Sequence, residues 1–281
     1  MNRFLKVLLV SAAALALLVG LVALKVHHDR TRVRVERLTI SSDKLPVGRP
    51  LRIMQIADFH NGVGASAESV LAKMRAEQPQ FVLITGDVVN THDDDLEPLR
   101  ELLTGLRAHG RPVFAVWGNH DHWSGRLPEL RRLYAENGVT VLDHGRVLLE
   151  HRGMRFTLVG TDDPSIGRDD LDRAMRGVDP NTFTLLMTHS PEIRRDLVGR
   201  GIDLAVVGHT HGGQVRLPFK GCVVAPNQGW WPTYCRGLFD IDGTQLYVDS
   251  GLGSASPKVR FNVQAQVTMI TVRSGQVTTQ R

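Results

Sequence analysis

With 281 residues, 42% of them hydrophobic, the chain can bury a full core as one large domain or two small ones. Its two cysteines, Cys222 and Cys235, exclude a disulfide framework; they are expected as free thiols in a reducing compartment, although both lie in one loop-rich stretch where pairing is open to them. The net charge of +5 admits nucleic acid, anionic lipid or an anionic substrate, and much of it sits beside an apolar segment, which favours lipid.

That segment comes first. Val7 to Leu24 is an uncharged run of 18 residues, enough to cross a bilayer as one helix. A secretory signal has a shorter apolar run and a small-residue exit. Here Ala14-Leu15-Ala16 would cut the run in half, and no twin arginine precedes it. Residues 1–30 are therefore expected to be a retained anchor with a basic flank, and 31–281 the globular domain. Arg3 and Lys6 precede the run, whereas Lys25, Arg30, Arg32, Arg34 and Arg37 follow it. That asymmetry predicts a single-pass protein of a bacterial-type inner membrane with its domain in the cytoplasm. The basic flank also suits anionic headgroups, at about 1 kcal/mol per residue, or serves as a plain stop-transfer signal.

Val33 to Ile40 alternates and predicts an edge strand. Leu51 to Ala57 predicts a buried strand ending in Asp58-Phe59-His60-Asn61-Gly62. Ser66 to Glu77 predicts a helix with Ser66 as its cap. Phe81 to Ile84 is a strand ending in Thr85-Gly86-Asp87, and Leu96 to His109 a helix. Val113 to Val116 is a strand ending in Trp117-Gly118-Asn119-His120-Asp121, followed by a helix over Leu127 to Glu136. Val139 to Leu142, Val147 to Glu150 and Phe156 to Val159 read as strands, and Asp169 to Met175 as a short helix. Thr182 to Met187 predicts a strand ending in Thr188-His189-Ser190-Pro191. Leu204 to Val207 predicts one ending in Gly208-His209-Thr210-His211-Gly212-Gly213. The tail is short strands and turns, including Gln245 to Val248 and Val267 to Val272. This order predicts a layered mixed α/β domain.

Five apolar strands thus end in metal-binding residue types: Asp58 with His60, Asp87, Asn119 with His120, His189, and His209 with His211. A lone Asp after a strand is usually a cap and a lone His a surface or core group. Five such endings in one chain point to a site at the carboxyl edge of a sheet. Asp58, His60, Asp87, Asn119, His189, His209 and His211 are too many donors for one ion and suit two, if a carboxylate bridges. Without thiolate the set excludes a structural zinc knot and suits manganese foremost, or iron or zinc. Two such ions ready a water and hold a phosphoryl group, which predicts a phosphoester substrate.

The blocks Asp58-x-His60, Gly86-Asp87, Gly118-Asn119-His120-Asp121, His189 and Gly208-His209-Thr210-His211, in this order, resemble the calcineurin-like metallophosphoesterases over roughly residues 50 to 275. The resemblance implies a four-layer αββα sandwich of two mixed sheets. It implies Asp58, His60, Asp87 and His211 on one ion, and a bridging Asp87 with Asn119, His189 and His209 on the other. It implies His120 as a catalytic residue that stabilises the transition state or protonates the leaving oxygen. Asp121 would accept the other ring proton of His120, or cap the following segment. Asn61 would touch substrate phosphate or form a turn with Gly62. The apolar leader, the GHTHGGQ block and the Gly251-Leu252-Gly253 and Val259-Arg260-Phe261-Asn262 tail resemble a membrane-anchored branch. That branch is linked to hydrolysis of UDP-2,3-diacylglucosamine in lipid A biosynthesis and to exported phosphodiesterase activity. The chain departs from the usual pattern at Phe59, where Leu is common, and at Trp230-Trp231.

Arg260 is expected to bind a diphosphate or to form a surface salt bridge. Leu217, Pro218, Phe219, Trp230, Trp231 and Tyr234 form either an interfacial lip or ordinary packing of a long loop. His92, His109, His122, His144 and His151 fall outside the strand-end pattern and are expected on the surface. A nuclease would show interleaved basic and aromatic patches. A non-catalytic scaffold would lack ligands or His120, and none is missing.

Overall fold

The computed structural model describes residues 3–48, 50–93, 95–254 and 257–275. In chain order these are α1 Arg3–Thr31, β1 Arg34–Ser42, β2 Leu51–Ile56, α2 Ala67–Glu77, β3 Phe81–Thr85, α3 Glu97–Ala108, β4 Val113–Val116, α4 Asn119–Trp123 and α5 Leu127–Glu136. Then come β5 Val139–Val141, β6 Gly145–His151, β7 Met154–Gly160, α6 Leu171–Met175, β8 Phe183–Met187 and β9 Leu204–Val207. Four two-residue strands follow, β10 Arg216–Leu217, β11 Gly221–Cys222, β12 Val224–Ala225 and β13 Gly229–Trp230. The chain closes with β14 Gly237–Ile241, β15 Thr244–Val248 and β16 Gln266–Ser274.

Two six-stranded mixed sheets carry the fold, in the orders β1-β16-β2-β3-β4-β5 and β14-β15-β9-β8-β7-β6. Side chains alternate across each strand. Phe183, Leu185 and Met187 of β8 therefore point into the core between the sheets, where they meet Ile53, Leu83, Phe114 and Ile270. Leu186 points the other way, onto Ile193 and Leu197. On the outer face of the first sheet, Met54 and Ile56 pack under Val70, Met74, Leu99, Leu103 and Leu106 of α2 and α3. Helices, sheet, sheet and helices make the four expected layers, and β1 lies at a sheet edge as its alternation predicts.

Register positions the site. Ile56 pairs with Ile84 and Thr85 with Val116, all parallel, so β2, β3 and β4 end level with one another. In the second sheet Met187 pairs with Val206 and Val248 with Val207.

Two features add to the sequence reading. The leader helix continues past the apolar run to Thr31, because no Gly or Pro follows Leu24 within it and its last turn is packed: Asp29 is 1% exposed. Second, Cys222 and Cys235 form a disulfide, with Cα atoms 6.7 Å apart, rather than two free thiols. The antiparallel pairing of β10 with β11 and the bond from Thr210 Oγ1 to the Cys235 carbonyl, 2.7 Å, fold both cysteines onto the His211-Gly213 turn.

Candidate metal centre

Each candidate ligand sits two to four residues beyond a strand end, most of them on a backbone bent to aim it. Asp58, His60, Asp87, His209 and His211 all have positive φ, from 46° to 70°. Such conformations cost of order 1–3 kcal/mol each and persist where the surroundings over-determine them. Neighbouring glycines make room: a Cβ on Gly208 would lie 2.6 Å from Asp58 Oδ2, and one on Gly118 would overlap the Asp87 carboxylate.

The side chains converge in two buried groups, Asp58 with His60 and His211, and Asp87 with His189 and His209, the ligand atoms in each within 4.8 Å of one another. His60 Nε2 lies 3.3 Å from His211 Nε2, and His209 Nδ1 lies 3.1 Å from His189 Nε2. Asp87 Oδ2 is 3.2 Å from His189 Nε2 and 3.8 Å from His60 Nε2, so one oxygen faces both groups. Its other oxygen accepts from the His120 amide at 2.8 Å. Asn119 Oδ1 and His209 Nε2 are buried without a hydrogen bond among the described residues. His189 Nδ1 donates to the Thr85 carbonyl at 2.9 Å, which turns Nε2 toward the centre.

Electrostatics agree with a cation centre. Burial pushes His60 and His209 down to about 4 and His211 well below its ordinary value, so these imidazoles are neutral with free lone pairs. Burial pushes Asp58 up to about 8, against the opposing pull of His189. Burial would also raise Asp87, but His189 and His60 outweigh it and hold it well below the carboxylate range. His189 is raised well above its ordinary value, because Asp87 and Asp163 overcome its burial. Buried carboxylates facing neutral imidazoles, with unpartnered oxygen and nitrogen among them, fit two divalent ions of the borderline class.

His120 stands beside the centre, its ring 5.0 Å from that of His60. Its ring partner is not Asp121. Both Asp121 oxygens are taken by backbone amides: Gly118 and Asp87 at 2.9 Å on one, Val88 at 2.9 Å and Val89 at 3.3 Å on the other. The His120 Nδ1 partner is Thr91 Oγ1 at 2.9 Å. Asp121 thus shapes the Gly86-Asp87 turn. Nothing in the sequence marked Thr91, which enters only through the path of its loop.

Two residues expected from sequence to meet substrate are held by the protein itself. Asn61 spends its side chain on the start of α3, donating to the Asp95 carbonyl and accepting from the Leu99 amide at 3.2 Å. Arg260 is fully buried, its charge disfavoured by that burial, and donates to the Ser250 carbonyl at 2.7 Å and the Gly253 carbonyl at 2.9 Å. It braces a loop whose Gly253 amide bonds the Asp58 carbonyl at 2.6 Å. Asp249 supports the same loop through the Gly251 amide, 2.6 Å, another role invisible in sequence. Among the remaining histidines, His122 is a partly buried partner of Asp162 at 2.8 Å rather than a free surface group.

Comparison with known proteins agrees. A profile of the calcineurin-like phosphoesterases matches residues 51–213. The metallophosphoesterase YkuE of Bacillus subtilis (strain 168) is 27% identical over 243 residues, covering 84% of each chain. The phosphodiesterase YaeI of Escherichia coli (strain K12) is 31% identical over 236 residues, covering 79% of this chain and 82% of its own. A metallophosphoesterase of Aquifex aeolicus (strain VF5) is 29% identical over 268 residues, covering 88% of this chain and 94% of its own. With its ligand blocks, their convergence and these relatives in agreement, the chain belongs to the calcineurin-like phosphoesterase family of metal-dependent hydrolases.

Proposed function

We propose that this protein is a membrane-anchored phosphodiesterase or pyrophosphatase using two divalent ions, manganese foremost. The observation that carries the reading is Asp87, whose one oxygen faces both ligand groups beside His120. Ions held there would supply Lewis acidity toward a phosphoryl oxygen and a water of lowered pKa. The chain's own residues do the rest. Asp58, His60 and His211 hold one site, Asn119, His189 and His209 the other, with Asp87 shared. Thr91 fixes His120 Nδ1, leaving Nε2 to protonate the leaving oxygen as the P–O bond breaks. The name of YaeI, a phosphodiesterase, supports a diester over a monoester. With Mn²⁺ the protein should cleave bis-p-nitrophenyl phosphate. Asp87→Ala or His209→Ala should lower the rate by more than 100-fold, since even outer-shell partners are worth about 10–100-fold. Near wild-type rates in either variant would contradict the assignment.

For the natural substrate, UDP-2,3-diacylglucosamine fits an enzyme of lipid A biosynthesis held at the membrane by α1. A cavity of about 240 Å³ beside His211, walled by Val224, Ala225, Pro226 and Pro257, supports a substrate with an apolar part. Mass-spectrometric detection of UMP release tests this reading, and no product at high enzyme would remove it. One observation favours a second reading, an exported phosphodiesterase. The Cys222–Cys235 bond belongs to an oxidising compartment, whereas the lysine and arginine asymmetry and a nucleotide-linked substrate belong to the cytoplasm. Alkylation of the cysteines in intact cells separates them: blocked thiols mean export, and labelled thiols mean a cytoplasmic domain.

A further inference from the structure

Four observations converge on one face. First, the leader helix enters the domain at the edge that bears the ligands. β1 runs parallel to β16 with Arg34 opposite Gln266, and β16 runs antiparallel to β2 with Thr268 opposite Gln55. Arg34, three residues past α1, is therefore level with the end of β2, from which Asp58 projects.

Second, the junction is locked rather than hinged. Asp29 Oδ2 accepts from the Asn262 amide at 2.8 Å, the Asp29 carbonyl from the Ala265 amide at 2.7 Å, and the Arg32 carbonyl from Gln264 Nε2 at 2.7 Å. Third, the β10–β13 segment is tied to that junction. Asn262 Nδ2 donates to the Arg216 carbonyl at 3.1 Å, Arg216 N donates to the Phe261 carbonyl at 3.0 Å, and Arg236 pairs with Glu36 of β1 at 3.1 Å.

Fourth, this segment does not pack its aromatic residues. Phe219, at the turn between β10 and β11, is fully exposed, Trp230 is 72% exposed and Trp231 50%. Lys220 Nζ stands 5.4 Å from the centre of the Trp231 ring. Tyr234, by contrast, is packed on Phe239 and under Arg194. Exposed Trp beside Lys is the composition of a membrane–water interface, where the indole N–H and the ammonium stay wet while their apolar parts, and a neighbouring Phe, face lipid.

We infer that residues 216–231 form a lip that seats in the headgroup region of the bilayer, turning the metal-bearing edge toward the membrane surface. The inference rests on the reading of α1 as an anchor. The occupant is lipid because the lip is bonded to the same residue, Asn262, that fixes the anchor's exit. The reach is sufficient. The apolar run ends five residues before Asp29, about 7–8 Å along a helix. Phe219 lies three residues beyond Arg216, up to about 10 Å of extended chain.

The test uses the full-length chain in phosphatidylcholine–phosphatidylglycerol vesicles, in a Trp123→Phe background because Trp123 is itself 55% exposed. Buried Trp117 then serves as the unquenched reference. Brominated lipid should quench a large part of the tryptophan emission, acrylamide in the water phase should quench little, and Trp230→Phe with Trp231→Phe should remove the lipid-dependent part. The unsubstituted lip alone gives the acrylamide reading, so a variant that fails to fold does not block the test. If the protein floats with vesicles but acrylamide quenches it and brominated lipid does not, the lip is not docked, while anchor and enzyme stand. The same holds if the lip cross-links to a second copy without lipid quenching. Failure to float removes the anchor reading and the lip with it.

Discussion

Asp121 illustrates how a residue can shape a candidate metal centre through backbone amides alone. Its carboxylate gathers four backbone amides around the Gly86-Asp87 and Gly118 turns, and burial pushes it up to about 7. Asp121→Asn replaces one acceptor oxygen by a donor facing those amides. It should weaken divalent-ion affinity by about 10–100-fold, as for outer-shell partners elsewhere, in a metal titration of the purified protein. An unchanged affinity would assign Asp121 to folding alone. Titration of the buried groups gives a second expectation. Asp58, raised to about 8, and His189, raised above its ordinary 6.5, hold protons more tightly folded than unfolded. Their stabilisation is therefore lost as pH rises. His60 and His209, lowered to about 4 from 6.5, act oppositely, but only below 6.5. The low pKa of Asp87 matters only in acid. Chelated protein should thus lose thermal stability as pH rises from about 6.5 to 8, while ion-loaded protein gains it, because ions displace those protons. Parallel pH trends in thermal melts of the two forms would contradict this. The residues that converge here were legible because polar metal-binding types end apolar runs. The roles of Asp121, Thr91 and Arg260 were not, since each depends on which backbone groups the fold brings opposite it.

At the scale of elements, the sequence announces strands and helices by period but not how they join. α1 is a case in point. Its apolar run is long enough to cross a bilayer, yet the polar turn that follows becomes a structural joint. The buried Asp29 carboxylate accepts the Asn262 amide and an ion pair from Lys25. Asp29→Ala would leave that amide without its partner, a cost of about 1–3 kcal/mol. Limited proteolysis should then cut faster between residues 25 and 35 without loss of the hydrolytic rate on a soluble diester. Unchanged proteolysis would mean that the joint is held by other contacts. The disulfide belongs to this scale too. Cys235 lies 13 positions after Cys222, and only the short β10–β13 hairpins bring them together. Strands of two residues carry no periodic signal, so neither the hairpins nor the pairing was readable.

For the molecule as a whole, alternation of βα units made the layered class legible, while the sheet order was not. β16, last in sequence, inserts between β1 and β2, a long-range pairing that no local pattern encodes. That insertion brings the tail loop against Asp58 and sets the end of α1 at the edge where the Asp58, His60 and Asp87 side chains gather. Two-ion chemistry here requires separate strand ends from both sheets to deliver donors to one place. Anomalous scattering from crystals of the Mn²⁺-loaded protein tests this most directly. It should show two peaks about 3.5–4 Å apart, one on Asp58, His60 and His211 and one on Asn119, His189 and His209, with Asp87 between them. A single peak, or peaks on other residues, would contradict it.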